Sequence, residues 1–335
     1  MKKKTTMGFV FVMIMLLVSS AAFGKSSVSK SVVPLPPTVS GLPSITAELW
    51  ITVDPGPAVF LEGPAFDRKG NLFVSSIFDS RILKISPDKK VTTIFSQEGL
   101  MPDGIAIHKD GRLFLACISG KIMAIGPDGS NPTEIPAKFQ GKPQVCNDLV
   151  FDKNGNLLVT DWTGTFADAS GGVYRLSADF KSIEPVFQNL VSPNGVALSP
   201  DGNTLWISET NRNRLITLNF QPGTIKLNPF ESCKIPWRFS GGAVAGGPDS
   251  NAVDEKGNLY QCVIFQGRVL ILNNLGFPLA NVVVPQRDQG KHLLTTNVAF
   301  KPGTDEVYLT ASGDGGACIF RFKGLAKGLM LFSHQ

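Results

Sequence analysis

Six polar residues occupy one position in a repeating pattern: Glu62, Asp103, Asn147, Asn194, Asp249 and Asn297 stand five residues ahead of Asp67, His108, Asp152, Ser199, Asp254 and Pro302, each at a recurring turn. All six carry carboxylate or amide oxygens. A set without His or Cys is hard-ligand chemistry, suited to Ca²⁺ or Mg²⁺ and not to zinc. If the repeats are related by rotation, equal register means equal height on a channel wall, and the six side chains converge on one axis. A wet channel also needs hydrogen-bonding residues to satisfy its backbone groups. Glu62 and Asp249 together favour a cation, because two carboxylates facing each other repel unless a cation or proton stands between them. Several ring residues adjoin Gly or Pro, as in Glu62-Gly63-Pro64, Pro102-Asp103-Gly104, Pro193-Asn194-Gly195 and Gly247-Pro248-Asp249. Such neighbours let the backbone approach the centre closely.

The elements that would carry this ring are short strands. Asp67–Val74, Asp152–Val159 and Asp254–Tyr260 are near copies of one turn-and-strand segment, and Lys109–Leu115, Ser199–Trp206 and Lys301–Tyr308 are looser versions. Each is a Gly-bearing hairpin turn entering a run of β-formers. A third strand usually follows, as at Arg81–Ile85 and Arg268–Leu272. The turn glycines 70, 111, 155, 202, 257 and 303 are 41, 44, 47, 55 and 46 residues apart. That interval matches the ~40 to 50 residues of a four-stranded propeller blade. The spacing predicts an all-β fold, a six-bladed β-propeller of four-stranded antiparallel blades over residues 45–335. Closing the ring removes most exposed edges, and a strand near Ala47 to Val53 is expected to pair into the last blade.

Ahead of the propeller, Lys2, Lys3 and Lys4 precede the apolar run Met7 to Val18, and Ser19, Ser20, Ala21, Ala22 and Gly24 follow. This order reads as a secretory signal over residues 1–24, cleaved near Gly24, and therefore as a periplasmic or secreted protein. The run is shorter than the ~20 residues a spanning helix needs, which favours a cleaved signal over the alternative of an uncleaved membrane anchor. Residues 25–44, rich in Ser, Pro and Val, read as a flexible arm. Loss of the three leader lysines lowers the formal charge from +5 to +2. Basic residues form no stripe, which excludes a nucleic-acid footprint and leaves a small molecule as the expected partner of a monomer. Cys117, Cys146, Cys233, Cys262 and Cys318 show no C-x-x-C spacing, so neither a zinc site nor a redox pair is indicated. An oxidising compartment permits a disulfide among them, and buried free thiols are the alternative.

Glu62-Gly63-Pro64, Cys146-Asn147-Asp148, the stretch Pro193–Gly202 and Gly247–Ser250 resemble the signatures of the gluconolactonase and senescence-marker-protein superfamily of calcium-dependent hydrolase propellers. Residues 247–272, 285–290 and 324–328 are most similar to its bacterial drug-responsive lactonases. The resemblance implies one catalytic Ca²⁺ held by Glu62, Asn147, Asn194 and Asp249, with Ser250 a further ligand and Mg²⁺, Mn²⁺ or Zn²⁺ as candidate substitutes. Departures are informative. Asn147 stands where those lactonases carry an acid, Val145 where gluconolactonases place an Arg for the sugar acid, and Ser312 where the fluorophosphatases have a His. Ala252 and Ala299 occupy two positions used by a second, structural calcium in the fluorophosphatases, so one metal is expected.

These residues together point to an exported hydrolase that opens a small lactone by metal polarisation of its carbonyl, with Asp249 as ligand and proton acceptor. The substrate pocket is expected from Trp162, Phe166, Trp237, His292 and Ser312, although the aromatic residues also suit the packing of blade tops. Two other classes remain open. One is a phosphotriesterase-like hydrolase using the same cation, and the other is a non-enzymatic ligand-binding propeller.

Overall fold

The computed structural model describes residues 33–335 apart from 136–137, 140–141, 144 and 241–245; the leader read at residues 1–24 lies outside them. Six antiparallel sheets follow one another along the chain, each led by an innermost strand: Leu61–Phe66, Pro102–Ile107, Cys146–Phe151, Pro193–Leu198, Pro248–Val253 and Leu294–Phe300. They are blades 1 to 6 of a propeller, as the repeat predicts. All six turn glycines have positive φ, between 73° and 93°, the left-handed region in which a side chain is unfavourable.

The second strands explain why the repeat is so apolar. Every residue of Leu72–Ser76, Leu113–Cys117, Leu157–Asp161 and Leu259–Val263 is buried, since both faces of each blade lie against neighbours. Strands buried on both faces read as continuous apolar runs instead of alternating ones. The core is accordingly divided into six clusters, one at each interface between blades. Leu158, Val173 and Leu190 of blade 3 meet Val196, Leu205 and Ile207 of blade 4, for example. The sixth interface, uniting Leu61 and Leu72 of blade 1 with Tyr308 and Ile319 of blade 6, closes the ring.

Closure is also covalently staggered. Glu48–Asp54 pairs antiparallel with Ala317–Lys323, so the outermost strand of blade 6 comes from the N-terminal part of the chain, as expected. Separating the blades then requires breaking a ladder as well as an interface. Part of the stretch read as a flexible arm is packed. Ser44–Thr46 runs parallel to the outer strand of blade 5, Val39 is buried, and Asn281 donates its backbone N–H to Pro43 O and its side-chain amide to Val39 O. An outer strand with unpaired backbone groups needs a cover, and this segment supplies it. Among the described residues no helix is long and apolar enough to cross a membrane, and all five cysteines are free.

Candidate metal centre

Each innermost strand breaks register at the ring position. Its pairing skips between Glu62 and Ala65, Pro102 and Ile105, Cys146 and Leu149, Pro193 and Val196, Pro248 and Asn251, and Thr295 and Val298. A bulge bends a strand and re-aims a side chain, and these bulges deliver Glu62, Asp103, Asn147, Asn194 and Asp249 to one level, whereas in blade 6 Thr296 holds that position and Asn297, expected there, falls one residue later at the register of Asp148. None of Glu62, Asp103, Asn147, Asn194, Asp249 and Asn297 is more than 7% exposed.

The backbones crowd at this level, which accounts for two of the glycines. A Cβ on Gly104 would lie 2.6 Å from Asp148 Oδ1, and one on Gly195 would lie 2.6 Å from Ser250 Cα. Hydroxyls then lock neighbouring blades in height. Ser75 donates to Asp103 O at 2.5 Å, Thr160 to Asn194 O at 2.7 Å and Ser208 to Asp249 O at 2.6 Å, each reaching from a second strand into the next blade. The sequence reading did not single out these hydroxyls. Their signal was present, since Ser75 and Thr160 stand five residues after turn glycines 70 and 155.

Each acid is paired with an amide of a neighbouring blade. Asn297 Nδ2 donates to Glu62 Oε2 at 2.9 Å, Asn147 Nδ2 donates to Asp103 Oδ2 at 2.8 Å, and Asn194 hydrogen-bonds Asp249. Ser250 Oγ donates to Asn194 Oδ1 at 3.1 Å. One amide per carboxylate is little compensation for full burial. Glu62 is pushed well above the usual carboxylate range by burial and then by the charges of Asp103 and Asp249. Asp103 is raised in the same way by burial, Asp249 and Asp148. Burial drives Asp249 up to about 8, with Asn194 opposing and Asp148 adding to the rise. Asp148, absent from the expected ligands, is raised by burial to about 7 while its two oxygens accept from Leu149 N and, across the blade boundary, Val196 N.

This arrangement fits a hard cation. Asn147 Oδ1 is buried with no hydrogen-bond partner, an acceptor prepared for a group of positive charge. Its neighbours are carboxylates that mutual repulsion destabilises, and a cation relieves that repulsion. Among the described residues no three His, Cys, Asp or Glu side chains cluster closely enough to bind a metal by themselves. Amide and hydroxyl oxygens from Asn147, Asn194 and Ser250 must therefore complete the set, which is oxygen chemistry of the Ca²⁺ kind.

The five expected pocket residues separate. Trp162 is half-buried on the loop after the second strand of blade 3, at the ring end, and its backbone N–H donates to Val145 O. Phe166, on the same loop, is 77% exposed. Trp237 lies on the outermost strand of blade 4, packed against Phe239 and the interface with blade 5, three strands from the channel wall. His292 is buried with its ring 5.1 Å from that of Phe320 and tight against Gly315. The hydroxyl of Ser312 is engaged by Leu61 N at 3.1 Å, tying blade 6 to blade 1. Packing accounts for Trp237 and a hydrogen bond for Ser312, while His292 packs on Phe320 with its Nδ1 buried and without a partner.

Beyond the ring the channel widens into a cavity of about 240 Å³ at the far ends of the inner strands. Asp148, Asn251 and Asn297 bound it on the ring side, Ala252 and Ala299 are among its walls, and the tail Leu329–Gln335 closes it. Neither Glu62 nor Asp249 lines this space, so the cavity is distinct from the site of converging carboxylates.

Sequence and fold are matched by known proteins. The sequence profile described as the SMP-30/gluconolactonase/LRE-like region matches residues 60–313. The chain belongs to that family. Among its relatives, lactonase drp35 of Staphylococcus saprophyticus is 41% identical over 307 residues, covering 89% of this chain and 93% of that protein. Lactonase drp35 of Staphylococcus haemolyticus is 38% identical over 320 residues, with 92% and 96% covered. Of solved structures, the calcium-binding protein regucalcin from Agrobacterium tumefaciens superimposes with a TM-score of 0.69 at 20% identity, over 86% of this chain and 98% of that one. A gluconolactonase from Xanthomonas campestris does so with a TM-score of 0.68 at 20% identity, over 89% and 98%. At that identity the structural likeness speaks for the fold, and the family assignment rests on the sequence.

Proposed function

We propose that this chain is an exported Ca²⁺-dependent lactonase that hydrolyses a small lactone. The observation that carries the reading is the ring itself: buried carboxylates that raise one another's proton affinity, beside an Asn147 oxygen with no partner. Near-full-length relatives named lactonase supply the reaction class, and a structural neighbour described as calcium-binding is in keeping with the donor set.

Glu62, Asn147, Asn194 and Asp249 would hold the cation, with Ser250 as a further oxygen. Bound there, it supplies a Lewis acid for a carbonyl oxygen and a counter-charge for the oxyanion of ester hydrolysis. The protein's own groups do the rest. Asn194, fixed by Ser250 and bonded to Asp249, orients that carboxylate; Asp249 accepts the proton of the attacking water and returns it to the leaving alkoxide. The interblade hydroxyls keep these atoms at one height, the positional precision such a step needs. Trp162 and Phe166 stand on the ring side of blade 3, where a substrate entering the mouth would meet them.

The test is hydrolysis of a panel of aliphatic lactones, aromatic lactones, aryl esters and phosphotriesters, with EDTA and with Ca²⁺ restored. Lactone turnover that EDTA abolishes and Ca²⁺ restores is expected. Turnover confined to phosphotriesters, or indifferent to EDTA, would overturn the proposal. The basic, apolar and small-residue order of residues 1–24 supports export, and recovery of the protein in the cytoplasmic fraction with its leader intact would refute it.

A further inference from the structure

Beside the ring, blade 4 holds a buried carboxylate with two guanidinium partners. Glu209 is fully buried, and its Oε1 accepts from Val191 N at 2.7 Å and from Arg212 Nη1 at 2.9 Å, while Oε2 accepts from Arg214 Nε. Among the described residues neither arginine forms an ion pair with any other acid. Two cations against one anion leave one positive charge over. It falls to Arg212, the more exposed of the two, whose only hydrogen-bond acceptor among the described residues is Glu209. Its other N–H groups have no acceptor among the described residues.

Arg212 also lies over an aromatic ring. Its guanidinium carbon lies 6.0 Å from the ring centroid of Phe166, on the long loop of blade 3. A phenylalanine that is 77% exposed has little reason to be held in place by packing alone. Both loops are pinned to the segment that delivers a ring residue. Ser192, two positions before Asn194, donates its N–H to Thr163 O at 2.9 Å and its hydroxyl to Gly164 O at 3.3 Å. From the other side Asn211 Nδ2 donates to Ser192 Oγ at 2.7 Å, and Thr210 N to Ser192 O at 3.2 Å. The loops bearing Phe166 and Arg212 therefore share one scaffold with Asn194, at the same end of the channel. Guanidinium and carboxylate pair strongly in a planar geometry, and a flat ring beside the guanidinium accepts another flat group.

We infer that Arg212 and Phe166 form a substrate-recognition subsite for a carboxylate carried on a flat, preferably aromatic, part of the lactone. The inference rests on the lactonase reading. It adds that the reacting carbonyl goes to the ring and a remote acid group goes to Arg212. Glu209 is then a positioning residue, which aims Arg212 and holds Val191 ahead of Asn194.

The experiment compares phthalide-5-carboxylate with its methyl ester as substrates of the full-length, Ca²⁺-loaded protein. The acid is expected to have a KM about tenfold lower than the ester, the scale of one partly exposed charge-assisted contact. Arg212→Gln should erase that difference through KM, with kcat for the acid little changed, and Arg212→Lys should restore part of it. Phe166→Ala, at an exposed position that does not endanger folding, should raise KM for both compounds. Equal KM values for acid and ester in the parent protein, or a preference that survives Arg212→Gln, would overturn the subsite. If neither compound is hydrolysed, the lactone panel judges the lactonase reading separately. Calorimetric binding of phthalide-5-carboxylate then decides the subsite by whether affinity falls about tenfold in Arg212→Gln.

Discussion

Asp249 and Asp254 stand five residues apart in blade 5, and both are buried, yet their surroundings differ completely. Asp254 heads the hairpin turn, where Lys256 N and Asn258 N donate to Oδ1 at 2.9 Å and Asn258 Nδ2 and Tyr260 Oη donate to Oδ2 at 2.8 and 3.1 Å. Asp67 and Asp152 are held the same way by their own turns. A carboxylate so supplied is a structural knot. Asp249 and its ring partners Glu62 and Asp103 receive little from their own turns and are raised, first by burial and then by like charge, that of Asp249 on Glu62 and Asp103 and that of Asp148 on Asp249. Burial alone therefore does not mark a functional acid. What marks it is a deficit of donors combined with like charge nearby, a debt that only something from outside the chain can settle.

Removing each acid in turn should separate the two sets. Asp249→Asn is expected to lower lactone turnover by at least ~10²- to 10³-fold while the thermal midpoint in EDTA does not fall, because the ring loses a proton acceptor and a charge, and loses no packing. Near-parental turnover with the cation still bound would break the comparison. Asp254→Ala should do the reverse, costing about 1–3 kcal/mol of stability as the turn donors lose their acceptor, with kcat of the folded protein unchanged. Chemical denaturation and active-site-normalised kinetics measure the two effects.

Between these extremes lies the response to cation and pH. A carboxyl whose pKa is higher folded than unfolded binds more protons in the folded state, so stability falls as pH rises from the unfolded value near 4. For the cation-free protein the fall should run through the values of about 7 for Asp148 and about 8 for Asp249. Thermal midpoints in EDTA should therefore decline from pH 5 to pH 9. Ca²⁺ at 100 times its Kd should add about 2.7 kcal/mol and flatten the decline. Midpoints that rise with pH in EDTA would show that the ring acids are already compensated from within. The smallest change is expected from Trp237→Phe, on the outer strand, which should cost some stability and leave KM for lactones within about twofold, as a volume-reducing packing change does.

Much of the architecture was legible before any coordinates. Turn glycines at near-constant spacing specify hairpins, hairpins at that spacing specify blades, and blades of equal length specify a ring. The same register argument placed Glu62, Asn147, Asn194 and Asp249 at one level, because rotational equivalence converts a count of residues into a height. Pocket residues were less legible. Trp237 and His292 were singled out by type and by proximity to blade ends, but residue type does not reveal which strand of a blade is outermost or which way a loop histidine turns. Residues 36–44 read as an arm because their composition is that of a tether, and only the exposed edge of blade 5 gives them a partner.

The sequence by itself determined the repeat, the all-β class, the ring of oxygen donors and the acid at each turn, since all of these are periodic, and periodicity survives in one dimension. The tertiary structure alone decided which acids are satisfied by their own turn and which face each other, that Asp148 and the hydroxyls of Ser75, Thr160 and Ser208 brace the ring, and that Glu209 leaves a charge on Arg212. Those are contacts between different blades or between non-repeating loops. Their distances are set when the ring closes, and nothing in the linear order of residues encodes them separately.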